Sequence, residues 1–550
     1  MTADTATTLV RLRPIVHASP LPTGIHVRGW SSSFTVEGGA GLWNLWRVLE
    51  RRLVDGVPGH QLVPLARRPE VARAAELIIT QLRAHDMLVE VPAGWGESDP
   101  DLAAWLESVA PDPAAALGRL RAATVRVAGP DTLLESACRT LAAAGVTVLV
   151  ADGPAGMLHA VAGERAVAAR CDEETGFVVP VGAAGDVCRT AAAVAAVAAR
   201  LGLAPDPSPA AAPYALAALV GAAAAHRLVS AVAGLEDPGR LDAVLTAGGP
   251  PPDDYPAVLV ARLDPLSASY HPWLPAADRA ASPVGTIDDA LRGLDALTDP
   301  DLGAVPTPVL GDLPQLPACL ARAGAALGVG VSADAARLAA ALAAAERTLG
   351  AGVSVGVNER HARGAALRRR ARAVAPAGEP VADAGWDRSP IARRWWKTLT
   401  LRLGVDARID VRRLPGGAAC AVVTEEDAEL AWAIEATAAD AVAFALLGAA
   451  GVVQARRAGV AAVPGLLTGA APAWRPAGGD TTPWTDDAWY WPADVGDAED
   501  RLQATLADVA LGPLRPVPVG AAPELVRSLA AVGFHALGFD AVGFDGFGPA

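Results

Sequence analysis

The sequence predicts a multidomain chain of the α/β and α+β classes. It has a winged-helix module at residues 1–95, a doubly wound α/β domain at 96–265 and a mixed α/β domain at 266–550. Three observations predict it. Alternating segments followed by amphipathic helices fill the N-terminal part. A strand, turn, helix and strand ending in Asp152 come next, and beyond them helical and alternating segments mix. At 550 residues the chain has room for about three domains, and it carries no repeat of roughly 20–50 residues.

The first module opens on Leu9-Val-Arg-Leu-Arg-Pro14. Gly24-Ile-His-Val-Arg-Gly-Trp30 and Ser33-Phe-Thr-Val-Glu37 then alternate as the two arms of a hairpin. Leu42, Leu45, Trp46, Leu49 and Leu53 recur at helical spacing and stop near Asp55-Gly56. A second helix over Glu70–His85 places Val71, Ala74, Ala75, Ile78, Ile79 and Leu82 on one face, with Arg73 and Gln81 on its polar flank. Met87-Leu-Val-Glu-Val91 closes the module as a strand. An ordinary hairpin packed on an ordinary helix satisfies the same pattern.

Proline, glycine and acids cluster at Pro92–Pro113, which reads as a linker. Ala123–Gly129 is a short apolar strand, Thr132–Ala144 a helix and Gly145–Asp152 a second buried strand. The turn between them, Gly129-Pro-Asp-Thr-Leu-Leu-Glu135, lacks the later glycines of a dinucleotide fingerprint. Asp131 would set a negative charge beside any phosphate there, and Asp131 or Thr132 reads more simply as an N-cap. Helices run from Val187 to Val232, a Pro/Gly/Asp cluster follows at Gly248–Tyr255, and Ala257–Arg262 is a strand. In the last part Arg408–Arg413 and Cys420–Thr424 alternate, and helices fall at Ala335–Leu349 and Glu425–Arg457. The stretch Gly328-Val-Gly330 leads into a helix that ends in Glu346-Arg347 and is otherwise mostly alanine. It has the outline of a nucleotide-binding helix without carboxylates for magnesium.

Composition excludes several classes. A net charge of -14 argues against a general nucleic-acid binder. Lys397 is the sole lysine and lies in Trp395-Trp396-Lys397-Thr398, so there is no P-loop. The longest apolar runs, Ala211–Ala225 and Ala441–Val453, are short and end in charge, so they read as buried helices rather than membrane spans. The first residues carry no basic segment followed by an apolar run, so no secretory signal is expected. Cys138, Cys171, Cys188, Cys319 and Cys420 are widely spaced with no CxxC pair, which suits buried reduced thiols in a cytoplasmic protein and offers no metal site. No nucleophile–base constellation stands out, so no catalytic residue is assigned. His271 reads as structural. The arginine runs Arg368–Arg372 and Arg393-Arg394 are either solvated helix faces or an interface with an acidic partner.

Taken in order, the three parts resemble the leader-peptide-binding partners of YcaO azoline-forming cyclodehydratases, which mature thiazole- and oxazole-containing peptides, thiopeptides among them. The first part is similar to a PqqD-like recognition element, through the Gly24–Glu37 hairpin, the Trp43-Asn-Leu-Trp46 helix and the 70–85 helix. There a leader adds a strand beside the third strand and rests on the third helix. The resemblance thus implies peptide binding by Ser33, Phe34, Thr35, Val36 and Glu37, with Arg73, Ala74, Leu77, Ile78 and Gln81. The second part is similar to ThiF-like adenylating domains with a degraded glycine turn. The third is similar to the YcaO fold. Tyr270-His-Pro-Trp273 stands where fused cyclodehydratases carry zinc-ligand cysteines, absent here. Leu294–Gly303 and Asp312–Pro317 match the opening strands. Residues 328–347 fall on the ATP/magnesium helix, with Arg337 and Ala343 at glutamate positions and Glu346-Arg347 kept. Ala433–Gln454 falls on the second such helix, with Gly451 in place of a glutamate. Gly328, Gly330, Arg337, Ala343, Glu346, Arg347 and Gly451 then mark a degenerate nucleotide site. The C-terminus, Gly546–Ala550, lacks the alternating prolines of active members.

The resemblance implies a non-catalytic subunit without cofactor or metal. It would bind a precursor leader peptide and present the core peptide to a separate ATP-dependent YcaO cyclodehydratase. The alternatives are a cyclodehydratase in its own right, an azoline dehydrogenase of the same pathway, or a plain structural dimer. The expected partners are the leader, the active YcaO subunit and a possible second copy, with no nucleic acid and no membrane.

Overall fold

The computed structural model describes residues 8–39, 41–62, 68–153, 156–184, 187–203, 212–240, 255–276, 284, 287–460, 463–464, 467, 469–470, 495–509, 514–516 and 522–538. They form a mixed α/β chain with several sheets. It divides into two compact units, Met1–His271 and Pro272–Ala550. Gly546–Ala550 and most of the Gly248–Tyr255 cluster lie outside the described residues, as does the N-terminus up to Thr7.

The first unit begins with β1 (Thr8–Leu12), β2 (His17–Leu21), β3 (Gly24–Arg28) and β4 (Ser33–Glu37). Next come α1 (Gly41–Asp55), β5 (Val57–Pro58), α2 (Pro69–Ala84) and β6 (Leu88–Pro92). They make two three-stranded sheets, β5-β1-β6 and β2-β3-β4. The expected hairpin is β3–β4, and its register pairs His26 with Thr35 and Val27 with Phe34. Strand β2, unseen in the sequence because only Ala18 of its five residues turns even partly inward, covers the other side of β3. One core of Val27, Phe34, Val36, Trp46, Leu49, Ile78 and Leu82 joins hairpin to helices.

The Pro92–Pro113 linker is a correction. It folds as α3 (Pro100–Val109), followed by α4 (Pro113–Ala122). Asp99 and Asp112 cap them by accepting from the backbone N–H of Leu102 and Ala115 at 3.1 and 2.9 Å, each with proline at the first helical position. Far from linking loosely, α3 holds the module. Arg13, buried, donates to the carbonyls of Glu107 and Ala110 at 2.6 and 3.0 Å, and Arg11 pairs with the Glu107 carboxylate at 2.6 Å. Burial raises the pKa of Glu107, with Arg11 working against it.

The next strands are β7 (Thr124–Ala128), β8 (Thr147–Val150), β9 (Leu158–Ala162), β10 (Arg165–Cys171), β11 (Thr175–Val178), β12 (Gly182–Ala183), β13 (Ala257–Arg262) and β14 (Ser267–Pro272). The doubly wound expectation fails beyond one unit: only β7 and β8 run parallel, joined by α5 (Asp131–Ala143). Strands β9, β10, β11 and β13 extend the sheet antiparallel in the order β14-β13-β11-β10-β9-β7-β8. Tight turns at Gly163 and at Glu173-Glu174 link β9 to β10 and β10 to β11, as antiparallel pairing allows. Two further helices are α6 (Val187–Arg200) and α7 (Tyr214–Ala233). The N-cap of α5 is Pro130, with no side-chain bond, so neither Asp131 nor Thr132 caps it.

In the second unit the helices are α8 (Ile287–Leu297), α9 (Ala333–Leu349), α10 (Glu359–Val374), α11 (Pro390–Lys397), α12 (Ala438–Arg457), α13 (Val495–Val509) and α14 (Pro523–Ala531). The strands are β15 (Cys319–Ala323), β16 (Ala326–Gly330), β17 (Val353–Gly356), β18 (Glu379–Pro380), β19 (Ala407–Arg413), β20 (Ala419–Glu425), β21 (Ala428–Glu435), β22 (Val463–Pro464), β23 (Arg515–Pro516) and β24 (His535–Gly538). They form the sheets β15-β16-β22, β17-β24-β23 and β18-β19-β20-β21. Two expectations change. Glu425–Arg457 is strand β21 and then helix α12, because the alanines of Ala428–Glu435 pair with β20 rather than extend the helix. Leu294–Gly303 and Asp312–Pro317 are a helix end and turns, not strands.

Helices α7 and α12 are long and apolar enough to cross a membrane by length and composition, but 56% and 83% of those windows are buried inside the protein. Cys138, Cys171, Cys319 and Cys420 are free thiols.

Candidate functional site

Two places carry the residues singled out in the sequence, one in each unit. In the first unit, β4 lies at the edge of its sheet. Its alternation sorts the predicted peptide-binding residues into two classes. Phe34 and Val36 are buried, 8% and 4% exposed, whereas Ser33, Thr35 and Glu37 face solvent. Ile78 of α2 is fully buried, so it belongs to the core rather than to a docking surface. The outer flank of α2 is a stripe of half-buried Ala74 and Gln81 around exposed Leu77, with Arg73 exposed beside it. Strand and helix are tied together at one end. The rings of Phe34 and His85 stack with centroids 5.2 Å apart, and Ser32 donates to the His85 carbonyl at 3.2 Å. His26 and Thr35 are hydrogen-bonded across the hairpin at 3.1 Å. An edge strand beside an apolar shoulder can take an extended segment by main-chain pairing.

In the second unit, Gly328, Gly330 and Gly451 gather around β16, Ala343 and Glu346 lie further along α9, and packing accounts for the three glycines. Strand β16 lies between α9 and α12. Gly328 and Gly330 share the face toward α9. A Cβ on Gly328 would stand 2.0 Å from the Ala336 carbonyl oxygen and 2.4 Å from the Ala340 nitrogen; one on Gly330 would stand 2.7 Å from the Ala336 nitrogen. Val329 faces the other way, and a Cβ on Gly451 would lie 2.5 Å from its Cγ1. Neither strand glycine needs a left-handed backbone. Their lack of a side chain lets a helix approach the strand closely. Ala336, Ala340 and Ala343 are buried on α9.

The charged members of this set are engaged as well. Arg337 pairs with Asp295 of α8 at 3.0 Å. Glu346 is not a solvated charge: Arg369 of α10 grips both its oxygens at 2.7 Å, and the Val355 N–H donates to it at 2.9 Å. A guanidinium therefore sits where a cation is needed to balance that carboxylate. Arg347 is exposed. No group of three or more His, Cys, Asp or Glu side chains able to hold a metal occurs among the described residues.

The run Arg368–Arg372 is neither a solvated face nor a free patch. Arg368 is fully buried between Glu435 and Glu499, with contacts of 2.6 and 2.8 Å, and also donates to the Ile434 carbonyl at 2.8 Å. Glu435 accepts from the Gly469 N–H at 2.8 Å and Glu499 from Gln503 at 2.8 Å. Burial opposes the charge of Arg368, yet the two glutamates outweigh it and hold its pKa above the usual value. Burial raises the pKa of Glu435, opposed by Arg368. His361, in the same interior, is pushed down to about 4, first by burial and then by Arg368. Arg372 pairs with Glu429 at 2.6 Å and lies over the Trp432 ring. These partners lie far along the chain, and nothing in the local sequence announces them.

At the altered turn of the first unit, a Cβ on Gly129 would meet the Leu158 Cα at 2.8 Å, so this glycine too serves close packing. An open cleft of about 430 Å³ lies near the carboxyl end of β7, lined among others by Arg126, Asp152, His159 and Glu164. His159 is half-buried there, and burial lowers its pKa. Charges of both signs line it.

No protein-family model matches this sequence, and no curated protein matches it. Among solved structures, the chain is similar to "Heterocyclase in complex with substrate and Cofactor" at 12% identity and a TM-score of 0.53, over 97% of this chain and 94% of that one. The heterocyclase TruD aligns over 96% and 94% at 12% identity and a TM-score of 0.48. An Escherichia coli MccB structure with AMPCPP and MccA aligns over 48% of this chain and 96% of that one, at 10% identity and a TM-score of 0.33. The first of these shows the fold: this chain is built like that heterocyclase along nearly its whole length.

Proposed function

We propose that this protein is a subunit of a machinery that modifies ribosomally made peptides, binding a precursor's leader and presenting its core to a separate YcaO-type cyclodehydratase. The observation that carries this reading is the contrast between the two sites. The positions that the resemblance assigns to ATP and magnesium carry close helix–strand packing and the Arg369 guanidinium on Glu346, while β4 has one unpaired side among the described residues and an apolar shoulder on α2. Heterocyclase and MccB neighbours, the latter solved with MccA, are consistent with peptide modification. The leader would extend sheet β2-β3-β4 beside β4, with one apolar side chain against Leu77 and Ala74. Ser33, Thr35 and Glu37 would flank it, and Arg73 and Gln81 would meet its polar groups. Joining leader and enzyme in one complex raises the effective concentration of the core at the active centre.

The test is polarisation binding of a labelled leader from a short Cys- and Ser-rich precursor encoded beside this chain, against Leu77→Glu and Gln81→Ala. Phe34, Val36 and Ile78 are unsuitable because they belong to the core. Unchanged affinity for both variants would remove the docking assignment. Precursor-dependent ATP hydrolysis by the purified chain alone would replace this reading with that of a cyclodehydratase in its own right.

A further inference from the structure

Several arginines of the second unit have acidic partners, whereas one helix gathers four exposed cations and an exposed leucine on a single face. Arg337, Arg360, Arg368, Arg369, Arg372 and Arg412 each have an acidic partner. On α11 and the π-helical turn that continues it, Thr398–Arg402, the exposed side chains are Arg393, Arg394, Lys397, Leu401 and Arg402. Among the described residues none of these four cations forms an ion pair. The acids nearest in sequence, Asp383, Asp387 and Asp406, do not pair with them either.

The helix is anchored by its other side. Ala392, Trp395, Leu399 and Leu403 are buried in the core of the unit. Ser389 caps its start. Residues 393, 394, 397 and 401 fall on the opposite face at helical spacing. The wide turn carries Leu401 out to 77% exposure, more than any other large apolar side chain described. Leu401 thus stands in water on a helix with four cations that no described acid neutralises, in a protein of net charge -14.

We infer that this face docks an acidic protein segment that offers an apolar recess to Leu401. The cations attract and orient the segment, and the leucine anchors it. A membrane surface fits less well. The net negative charge of the chain opposes anionic lipid, Trp395 is buried, and Trp396 packs edge-on against Trp386 with centroids 5.6 Å apart, which leaves Leu401 alone to insert. Nucleic acid meets the same repulsion, and both tryptophans are engaged in packing rather than free to stack. This inference does not rest on leader binding at β4, so either can fail without the other.

The test uses the full chain and a fluorescein-labelled peptide of repeated Glu-Glu-Leu, read by polarisation. The expected result is binding that weakens as salt is raised. It falls about tenfold or more in Arg393→Glu/Arg394→Glu/Lys397→Glu, and about threefold in Leu401→Ser with the salt dependence kept. All these positions are exposed, and equal thermal unfolding of the variants confirms that the fold is retained. Equal peptide binding by the wild type and the triple variant overturns the proposal. So does binding to phosphatidylserine vesicles that the triple variant loses while its peptide affinity stays the same. Indifference to Leu401→Ser overturns the anchor.

Discussion

The edge of β4 and the interior around β16 are built from the same kinds of residue to opposite ends. At β4 alternation leaves every second side chain in solvent, and among the described residues one side of the strand is unpaired. At β16 all five residues are buried, and glycine, alanine and valine let helices close in from both faces. The difference separates two meanings of a small or apolar side chain. At an open edge it is available to another chain; between closed layers it is consumed by the fold. Substitutions should therefore move stability in the second place and affinity in the first.

The largest expected effect lies in the closed region. Arg368→Ala leaves Glu435 and Glu499 buried without their counter-charge, and should cost about 3–5 kcal/mol in denaturant unfolding of the full chain. Adding Glu435→Gln and Glu499→Gln should recover part of that loss. No recovery would mean that the triad's charges are not what the single change exposes.

His361 comes next. Its pKa of about 4 lies below its ordinary value, so between pH 6.5 and 4 the unfolded chain binds a proton that the folded one refuses. Its contribution is fully present above pH 6.5 and is lost as pH falls toward 4, about 3 kcal/mol over that interval. His361→Asn should flatten the pH dependence of unfolding in this window; an unchanged slope would exclude His361 as its source.

Gly451→Ala is milder. Its new methyl meets the stiff Val329 side chain, which should cost about 1–3 kcal/mol. Gly451→Ala/Val329→Ala should be less destabilised than the sum of the single changes. The smallest free-energy change is at the open edge. Leu77→Glu should leave the unfolding midpoint within about 0.5 kcal/mol yet weaken leader binding about tenfold, close to 1.4 kcal/mol. If Leu77→Glu instead destabilises the module and spares binding, the contrast between the two regions is wrong.

Much of the fold was legible because amphipathic spacing survives in α1, α2 and α9 and alternation in β3, β4 and β19. What was missed has physical causes. Proline, glycine and acids make the region of α3 read as a linker, although Asp99-Pro100 and Asp112-Pro113 are N-cap pairs that announce helices. The antiparallel strands β9 and β10 are alanine-rich, and β11 is four residues long and buried on both faces, so none shows enough contrast between faces to register. At the sites, Gly328 and Gly330 suit a phosphate turn and a close helix approach equally, since both need a backbone without side chains. The pairings of Arg337, Arg368 and Arg369 bridge distant segments, which no local pattern reports.

The close approach at β16 also leaves this strand little tolerance for larger side chains. A larger side chain at Gly328 collides with α9 backbone, and one at Gly451 collides with Val329. A side chain at residue 451 can be accommodated only if Val329 gives way, and one at residue 328 only if the α9 backbone moves. The two faces of β16 are therefore coupled to folding, so that a change of size at either glycine is read first as a loss of stability.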